Sequence, residues 1–238
     1  MAQNETNAEN IKLMEVLDFA FFNLAHELGN PINSIKMTLE VLINNFDDYP
    51  RERQMEYLRS LHVEFNRLES LLKAIRSFNT FEQLSIRALD LRSLLQNLLQ
   101  MMGNELNEKR ITLSFSFPQE PLWISGDSRA LQQALLNVIS NAVDALANRL
   151  DPRLGIAVDR QGDSCLIRIS DNGGGIPEEK KDQVFLPFAS GKPHAAGLGL
   201  TMAKKLLTRM DGSIAIDSQP GRGTEVLVTL PAADPHAG

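Results

Sequence analysis

From Ile11 onward the apolar residues Ile11, Met14, Leu17, Phe21, Leu24, Leu28, Ile32, Ile35, Leu39, Leu42 and Phe46 recur at steps of three and four. That spacing predicts one long helix with a heptad seam over 11–46, about 54 Å long at 1.5 Å per residue. DDYP at 47–50 breaks it. A second seam, Leu58, Leu61, Phe65, Leu68, Leu72 and Ile75, predicts a second helix that pairs with the first as an antiparallel hairpin. Two helices leave apolar surface uncovered, so the expectation is a homodimer in which two hairpins build a four-helix bundle with two-fold symmetry.

After a polar joint at NTFEQLS (79–85) the period changes. A helix is expected from an N-cap at Asp90, then strands at 111–117 and 121–125, then a helix capped by Asp127. That helix carries Leu131, Leu135, Val138 and Ala142 on one stripe and Asn137, Asn141 and Asp144 on another. Strands follow at 154–160 and 164–170, then a helix near 199–210 and strands at 213–218 and 224–230. The expected fold class is α+β: a helical hairpin over 1–82, followed over 83–238 by an α/β sandwich with helices layered on a mixed sheet.

Composition changes little in this picture. The chain has 238 residues, 43% hydrophobic and 23% charged, with 30 acidic against 24 basic residues and a net charge of -6. That balance lacks the basic patch of a nucleic-acid surface. The single cysteine, Cys165, lies in an alternating strand-like run and cannot form an internal disulfide. The polar N-terminus and the short FAFF cluster at 19–22 predict a soluble, cytoplasmic chain with no membrane insertion.

The chemistry-bearing residues begin at LAHELGNPINSIK, Leu24 to Lys36. His26 lies two residues from both Leu24 and Leu28, about 200° from the seam, so its imidazole is expected to face water. Asn30, one turn on, shares that face, and Glu27 adjoins it. Gly29 lowers helix propensity by about 1 kcal/mol relative to alanine, and Pro31 cannot donate to the carbonyl of Glu27, which predicts a bend or loosening beside the histidine. His62, His194 and His236 read as ordinary surface residues.

Three glycine clusters mark the second domain: DNGGGIP at 171–177, AGLGL at 196–200 and PGRGT at 220–224. Glycine lets backbone approach a ligand and frees N–H groups for phosphate, and AGLGL leads into a helix N-terminus that favours anions. Neither a Walker loop nor a Rossmann fingerprint is present.

Together these residues resemble the sensor histidine kinases of two-component signalling, whose ATP-binding domain belongs with those of gyrase and MutL. His26 to Pro31 resembles the phosphoacceptor box, Asn137 to Asn141 the N box, and Asp171 to Gly175 the adenine-binding glycine box. FLPF at 185–188 resembles the F box, Gly197-Leu198-Gly199-Leu200 the second glycine box, and Gly221-Arg222-Gly223-Thr224 a third. The resemblance implies a Bergerat-type ATP-binding fold, ATP and Mg2+ as cofactors, and His26 as the phosphorylated residue.

By the same resemblance Asn141 holds Mg2+, Asn137 helps hold the phosphates with Asp144 beside it, and Asp171 accepts from the adenine amino group. Gly173 and Gly175 shape that pocket, Lys192 reaches the terminal phosphate from a lid, and Gly197, Gly199 and Thr224 complete the nucleotide-facing set. Glu27 takes a proton from the ring, and Asn30 orients a water in dephosphorylation of a partner. That partner is the receiver domain of a response regulator, docking near Asn33, Lys36 and Met37, with a separate sensor protein if the chain is complete. Hydrolysing relatives carry a glutamate at the position of Asn137, and an amide cannot serve as that base, which favours transfer over an ATPase. Gly29, Ala196 and Asp144 depart from common family residues and touch lid closure and phosphate affinity. A competing expectation is a phosphotransfer or scaffold protein with a vestigial ATP domain.

Overall fold

The computed structural model describes residues 2–79, 81, 83–189 and 197–234. The chain divides into two compact units, residues 1–80 with 186–198, and residues 81–185 with 199–238.

The first unit is the hairpin. α1 (Ala2–Asn44) and α2 (Arg51–Asn79) are both continuous helices, α1 running through Pro31 without interruption. α1 begins earlier than the seam indicates and ends before Phe46, which falls in the turn. There Tyr49 N–H donates to the Asn45 carbonyl (3.0 Å), and the Gln54 amide donates to the Phe46 carbonyl (2.7 Å).

The seam is split between two directions. Pro31, Ile35, Leu42, Leu61 and Leu71 are buried within the hairpin, and Leu28 and Leu68 are half-buried. Ile32 and Leu39 on α1, Phe46 in the turn just past it, and Leu58, Phe65 and Leu72 on α2 stay exposed, each set repeating every seven residues. A heptad stripe is what one helix offers another, so each hairpin helix carries one covered stripe and one uncovered stripe. Leu71 is a correction: it lies off the expected α2 seam and is nearly fully buried.

The second unit starts with β1 (Arg87–Asp90), which the sequence pattern missed. α3 (Leu91–Glu108), β2 (Thr112–Ser116), β3 (Trp123–Gly126) and α4 (Ser128–Ala145) follow, then β4 (Arg153–Gln161), β5 (Ser164–Asp171), a single turn α5 (Glu178–Lys181), α6 (Gly199–Thr208), β6 (Ser213–Gln219) and β7 (Gly223–Pro231). The main sheet has the order β2-β4-β5-β7-β6, with β2 and β4 parallel and every other pair antiparallel. β3 does not join it and pairs with β1 in a two-stranded antiparallel sheet.

Burial follows the two periods. α3 buries Leu91, Leu95, Leu98, Met102 and Leu106, α4 buries Leu131, Leu135, Val138 and Ala142 among others, and α6 buries Met202, Ala203, Leu206 and Leu207. They cover Leu154, Ile156 and Val158 of β4, Ile167 and Ile169 of β5, and Val226, Val228 and Leu230 of β7, every second residue as a pleated strand requires. Cys165 is buried on the same face, and burial pushes its thiol above the ordinary range despite the opposing Arg160 charge. Among the described residues no helix is long and apolar enough to cross a membrane.

Both caps expected for α3 and α4 are formed. Asp90 accepts from Arg92 N–H, and Asp127 accepts from Arg129 (2.9 Å), Ala130 (3.0 Å) and, through its other oxygen, Ser85 (2.8 Å). Asp127 is only 3% exposed. Burial alone raises its pKa, but the three backbone donors with Arg129 outweigh that and hold the carboxyl below the usual carboxylate value. A lowered folded-state pKa means that the cap's ionic contribution is present above the unfolded value, about 3.9, and is lost as pH falls through the folded one. Asp127→Ala is expected to cost about 1–2 kcal/mol in chemical denaturation at pH 7, with the gap from wild type closing in acid below about pH 4.

Candidate functional site

His26 stands exposed on α1, and its Nδ1 lies 3.1 Å from the amide nitrogen of Asn30, one turn along. The helical period alone brings these two together. Glu27 points elsewhere: its Oε2 accepts from Arg67 Nη2 of α2 at 3.0 Å, with side chains 21% and 15% exposed. The structure thus places Asn30, rather than Glu27, on the ring nitrogen. Arg67 is a residue that sequence reasoning missed, since it is 40 positions away. Asn33, Lys36 and Met37 are exposed on α1 beyond His26.

In the second unit the polar stripe of α4 forms as the spacing requires. Asn137 and Asn141 are half-buried, and Asp144, one turn further, is exposed. Asn137 Oδ1 accepts from Gln133 at 3.1 Å. Gly199, the first residue of α6, is seated against both asparagines: a Cβ there would stand 3.5 Å from Asn141 Nδ2 and 3.8 Å from Asn137 Cβ. Two side-chain amides therefore meet a helix N-terminus, where backbone N–H groups and the helix dipole favour anions. Thr201, in the first turn of α6, has its hydroxyl oxygen buried without a protein partner.

Asp171 ends β5 half-buried and accepts from Gly173 N–H at 2.8 Å. A Cβ on Gly173 would come within 2.7 Å of both Asp171 Oδ1 and the Ala145 carbonyl, so only glycine fits beside this carboxylate. The β7 turn closes on the same loop. Gly221 N–H donates to the Gly174 carbonyl (2.7 Å), and Arg149 donates to the carbonyls of Gly173 and Gly221. Strand register sets Asp171 opposite Thr224 and Thr224 opposite Ser218. Ser218, 3% exposed, takes Ile176 N–H (2.8 Å), reaches the Gly223 carbonyl (2.9 Å) and shares a hydroxyl contact with Thr224 (2.9 Å). Asp171, Thr224, Ser218 and Arg222 border a depression of about 320 Å³.

Ser218 and Arg149 were not among the expected site residues. Inward alternation of Ile214, Ile216 and Ser218 along β6 marks the serine, whereas the long reach of Arg149 from the turn after α4 has no local signal. Gly197 adopts a positive φ of 65°, and Lys192 lies outside the described residues.

These residues fit a nucleotide with a divalent cation. Asp171 offers an acceptor beside a glycine-only backbone, and the amide oxygens are hard ligands of the kind Mg2+ takes. Among the described residues no group of three or more His, Cys, Asp or Glu side chains gathers as an all-protein metal cage. A magnesium ion sharing its shell with phosphates and water does not need one.

Gly223 has φ 99°, and a Cβ there would lie 1.9 Å from the Asp171 carbonyl. Gly223→Ala is therefore expected to destabilise the second unit by about 1–3 kcal/mol or more, read as a lowered midpoint in thermal unfolding. Gly162→Ala, where φ is 58° and nothing is within 4 Å, should cost only the backbone strain of about 1–2 kcal/mol.

Residues 20–84 match the His Kinase A (phospho-acceptor) domain, and residues 126–234 match the histidine kinase-, DNA gyrase B- and HSP90-like ATPase. Sporulation kinase D of Bacillus subtilis is 27% identical over 98% of this chain and 45% of its own length. The non-motile and phage-resistance protein of Caulobacter vibrioides is 30% identical over 88% of this chain and 26% of its own. The chain spans about a quarter to a half of the length of these relatives. The fold matches histidine kinase ThkA in complex with response regulator protein TrrA, with a TM-score of 0.76 and 21% identity over 99% of this chain and 67% of that one. It also matches full-length ShkA in complex with AMPPNP, with a TM-score of 0.65 and 22% identity over 88% of this chain and 45% of that one. With its phosphoacceptor hairpin followed by an ATPase domain of this type, the chain belongs to the histidine kinases, as a catalytic core.

Proposed function

We propose that this chain is an ATP-dependent protein-histidine kinase that phosphorylates His26 in a homodimer and passes the phosphoryl group to an aspartate on a response regulator. The observation that carries this reading is the exposed imidazole of His26, with Nδ1 against Asn30, on a helix that belongs to a phosphoacceptor domain. An amide nitrogen donates, so in this contact Nδ1 is the acceptor and Nε2 bears the ring proton. For Nε2 to attack, the proton must sit on Nδ1, with Asn30 turning its amide oxygen toward it or withdrawing. His26 Nε2 forms the N–P bond as the bond from the γ-phosphorus to the bridging oxygen breaks and ADP leaves. The Nδ1 proton passes to a carboxylate, for which Glu27 is the nearest candidate in sequence.

Asn141 and Asn137 are assigned to the phosphate end of the nucleotide and Asp171 to its base, with Thr224 and Ser218 bracing that carboxylate's strand. Asp144 and Lys192 are assigned to the phosphate side on sequence grounds. Mg2+, held by Asn141, supplies charge neutralisation on the phosphates when bound. Asn30 is further assigned the orientation of a water for dephosphorylating the regulator. ThkA was solved with its response regulator, which supports a receiver domain as the partner. The exposed heptad stripes of α1 and α2 support dimerisation through the hairpin. The hairpin is assigned to residues 1–82, the ATP domain to 83–238, and the chain to the cytoplasm.

Incubation with γ-labelled ATP and Mg2+ tests the reading: wild type should acquire an acid-labile label and His26→Ala none. Equal label on both would end it, and no affinity for Mg-ATP by calorimetry would favour a scaffold with a vestigial ATP domain. Asn141→Ala should weaken Mg-ATP binding by about tenfold or more while leaving the thermal midpoint within a few degrees of wild type, as measured by titration calorimetry and unfolding scans on the same sample.

A further inference from the structure

We propose that Arg67 is a positioning residue for phosphorylation of His26: by pairing with Glu27 it withdraws that carboxylate from the histidine and limits the rate of phosphoryl transfer. The proposal rests on Glu27 being the acceptor of the ring proton, as assigned above.

Consecutive helical residues project about 100° apart, so Glu27 does not share the face of His26. The structure shows what it does instead. Its carboxylate crosses the hairpin to the guanidinium of Arg67 at 3.0 Å, where both side chains are largely buried, while the amide of Asn30 takes the histidine's Nδ1. A buried pair of this kind constrains far more than a surface one, because either partner left alone would carry an unpaired charge inside the hairpin. In that contact the Asn30 amide donates and Nδ1 accepts, so for Glu27 to receive a proton from Nδ1 it must leave Arg67, Asn30 must release Nδ1, and the ring must carry its proton there.

The restraint is built to yield. A guanidinium and a carboxylate can join through two parallel hydrogen bonds, and the recorded contact uses one nitrogen and one oxygen. Arg67 Nε is buried with no partner, as is Glu64 Oε2 one turn earlier on α2. Buried polar atoms left unmade subtract from the pair's net stability. Release of Glu27 therefore gives up less than a fully satisfied ion pair would, and any motion of α2 that withdraws Arg67 acts directly on the proton acceptor beside His26.

The experiment measures initial rates of His26 labelling by the full chain with γ-labelled ATP and Mg2+, at saturating ATP and across an ATP series. Arg67→Ala should raise the maximal rate about three- to tenfold with the ATP KM unchanged, and Arg67→Lys, which keeps a cation, should fall between it and wild type. Glu27→Gln should slow labelling, and adding Arg67→Ala to it should give no gain, a dependence that a general loosening of the hairpin would not produce. If Arg67→Ala loses helical content, Arg67→Gln keeps the stem without the charge and carries the same expectation. Slowed Glu27→Gln with no gain from removing the Arg67 charge overturns the proposal alone, as does a gain that persists without Glu27. Unchanged labelling in Glu27→Gln overturns the proton-acceptor role and the proposal with it.

Discussion

The approach of two backbone segments too close for any side chain fixes the nucleotide end of this protein. Gly175 and Gly223 both sit at positive φ, and a Cβ on either would lie about 2 Å from a carbonyl oxygen, that of Gln219 or of Asp171. Only glycine permits the loop after β5 and the turn before β7 to touch in this way. Once they touch, the main-chain bond from Gly221 to Gly174 and the reach of Arg149 to both segments close the contact, and Ser218 satisfies the polar atoms that it buries. Asp171 is held at the end of β5 by that closure, and one of its acceptor oxygens is fixed by the Gly173 N–H.

The hairpin obeys a different constraint. Its helices are long, and each carries apolar residues at heptad spacing in two stripes, one buried by the partner helix and one exposed. Covering one stripe while leaving a second open is the arrangement of a half-built bundle. His26 sits away from both stripes, so the demands of packing and of chemistry do not compete for the same side of α1. Pro31 cannot donate to the Glu27 carbonyl, yet the helix continues past it, with the proline itself buried in the covered stripe. The expected loosening is not seen as a break in the helical assignment.

What could be read in the sequence was whatever depends on period and on local hydrogen bonding. The long helices, the caps at Asp90 and Asp127, the alternation in β4 to β7 and the asparagine stripe of α4 all follow from side-chain spacing, and each formed. β1 escaped because four residues, RALD, carry no usable alternation and owe their conformation to main-chain pairing with β3. Leu71 escaped because the exposed and buried stripes of α2 interleave, and a single seam drawn through both includes only one of them at that turn. Arg67 escaped for a deeper reason: its partner is 40 residues away, and a cross-hairpin ion pair leaves no trace in the local pattern.

The two halves of the chemistry are therefore held by different kinds of force, and this separates what can vary from what cannot. The nucleotide pocket rests on glycine backbone and strand register, where a side chain at Gly173, Gly175 or Gly223 would meet a carbonyl oxygen within about 2 to 3 Å and the cost is immediate. The phosphoacceptor rests on side chains that rotate: an amide on Nδ1 and a carboxylate tied to a guanidinium across the hairpin. Rotamers exchange on far shorter timescales than backbone folds rearrange. A protein that must alternate between gaining and giving up a phosphoryl group can place the change at the rotatable end while the backbone-defined pocket stays constant. Among the described residues, two of the three buried side-chain atoms without a partner lie at that end, on Arg67 and Glu64 of α2, the third being the Thr201 hydroxyl of α6; an unmade bond there lowers the cost of a small movement.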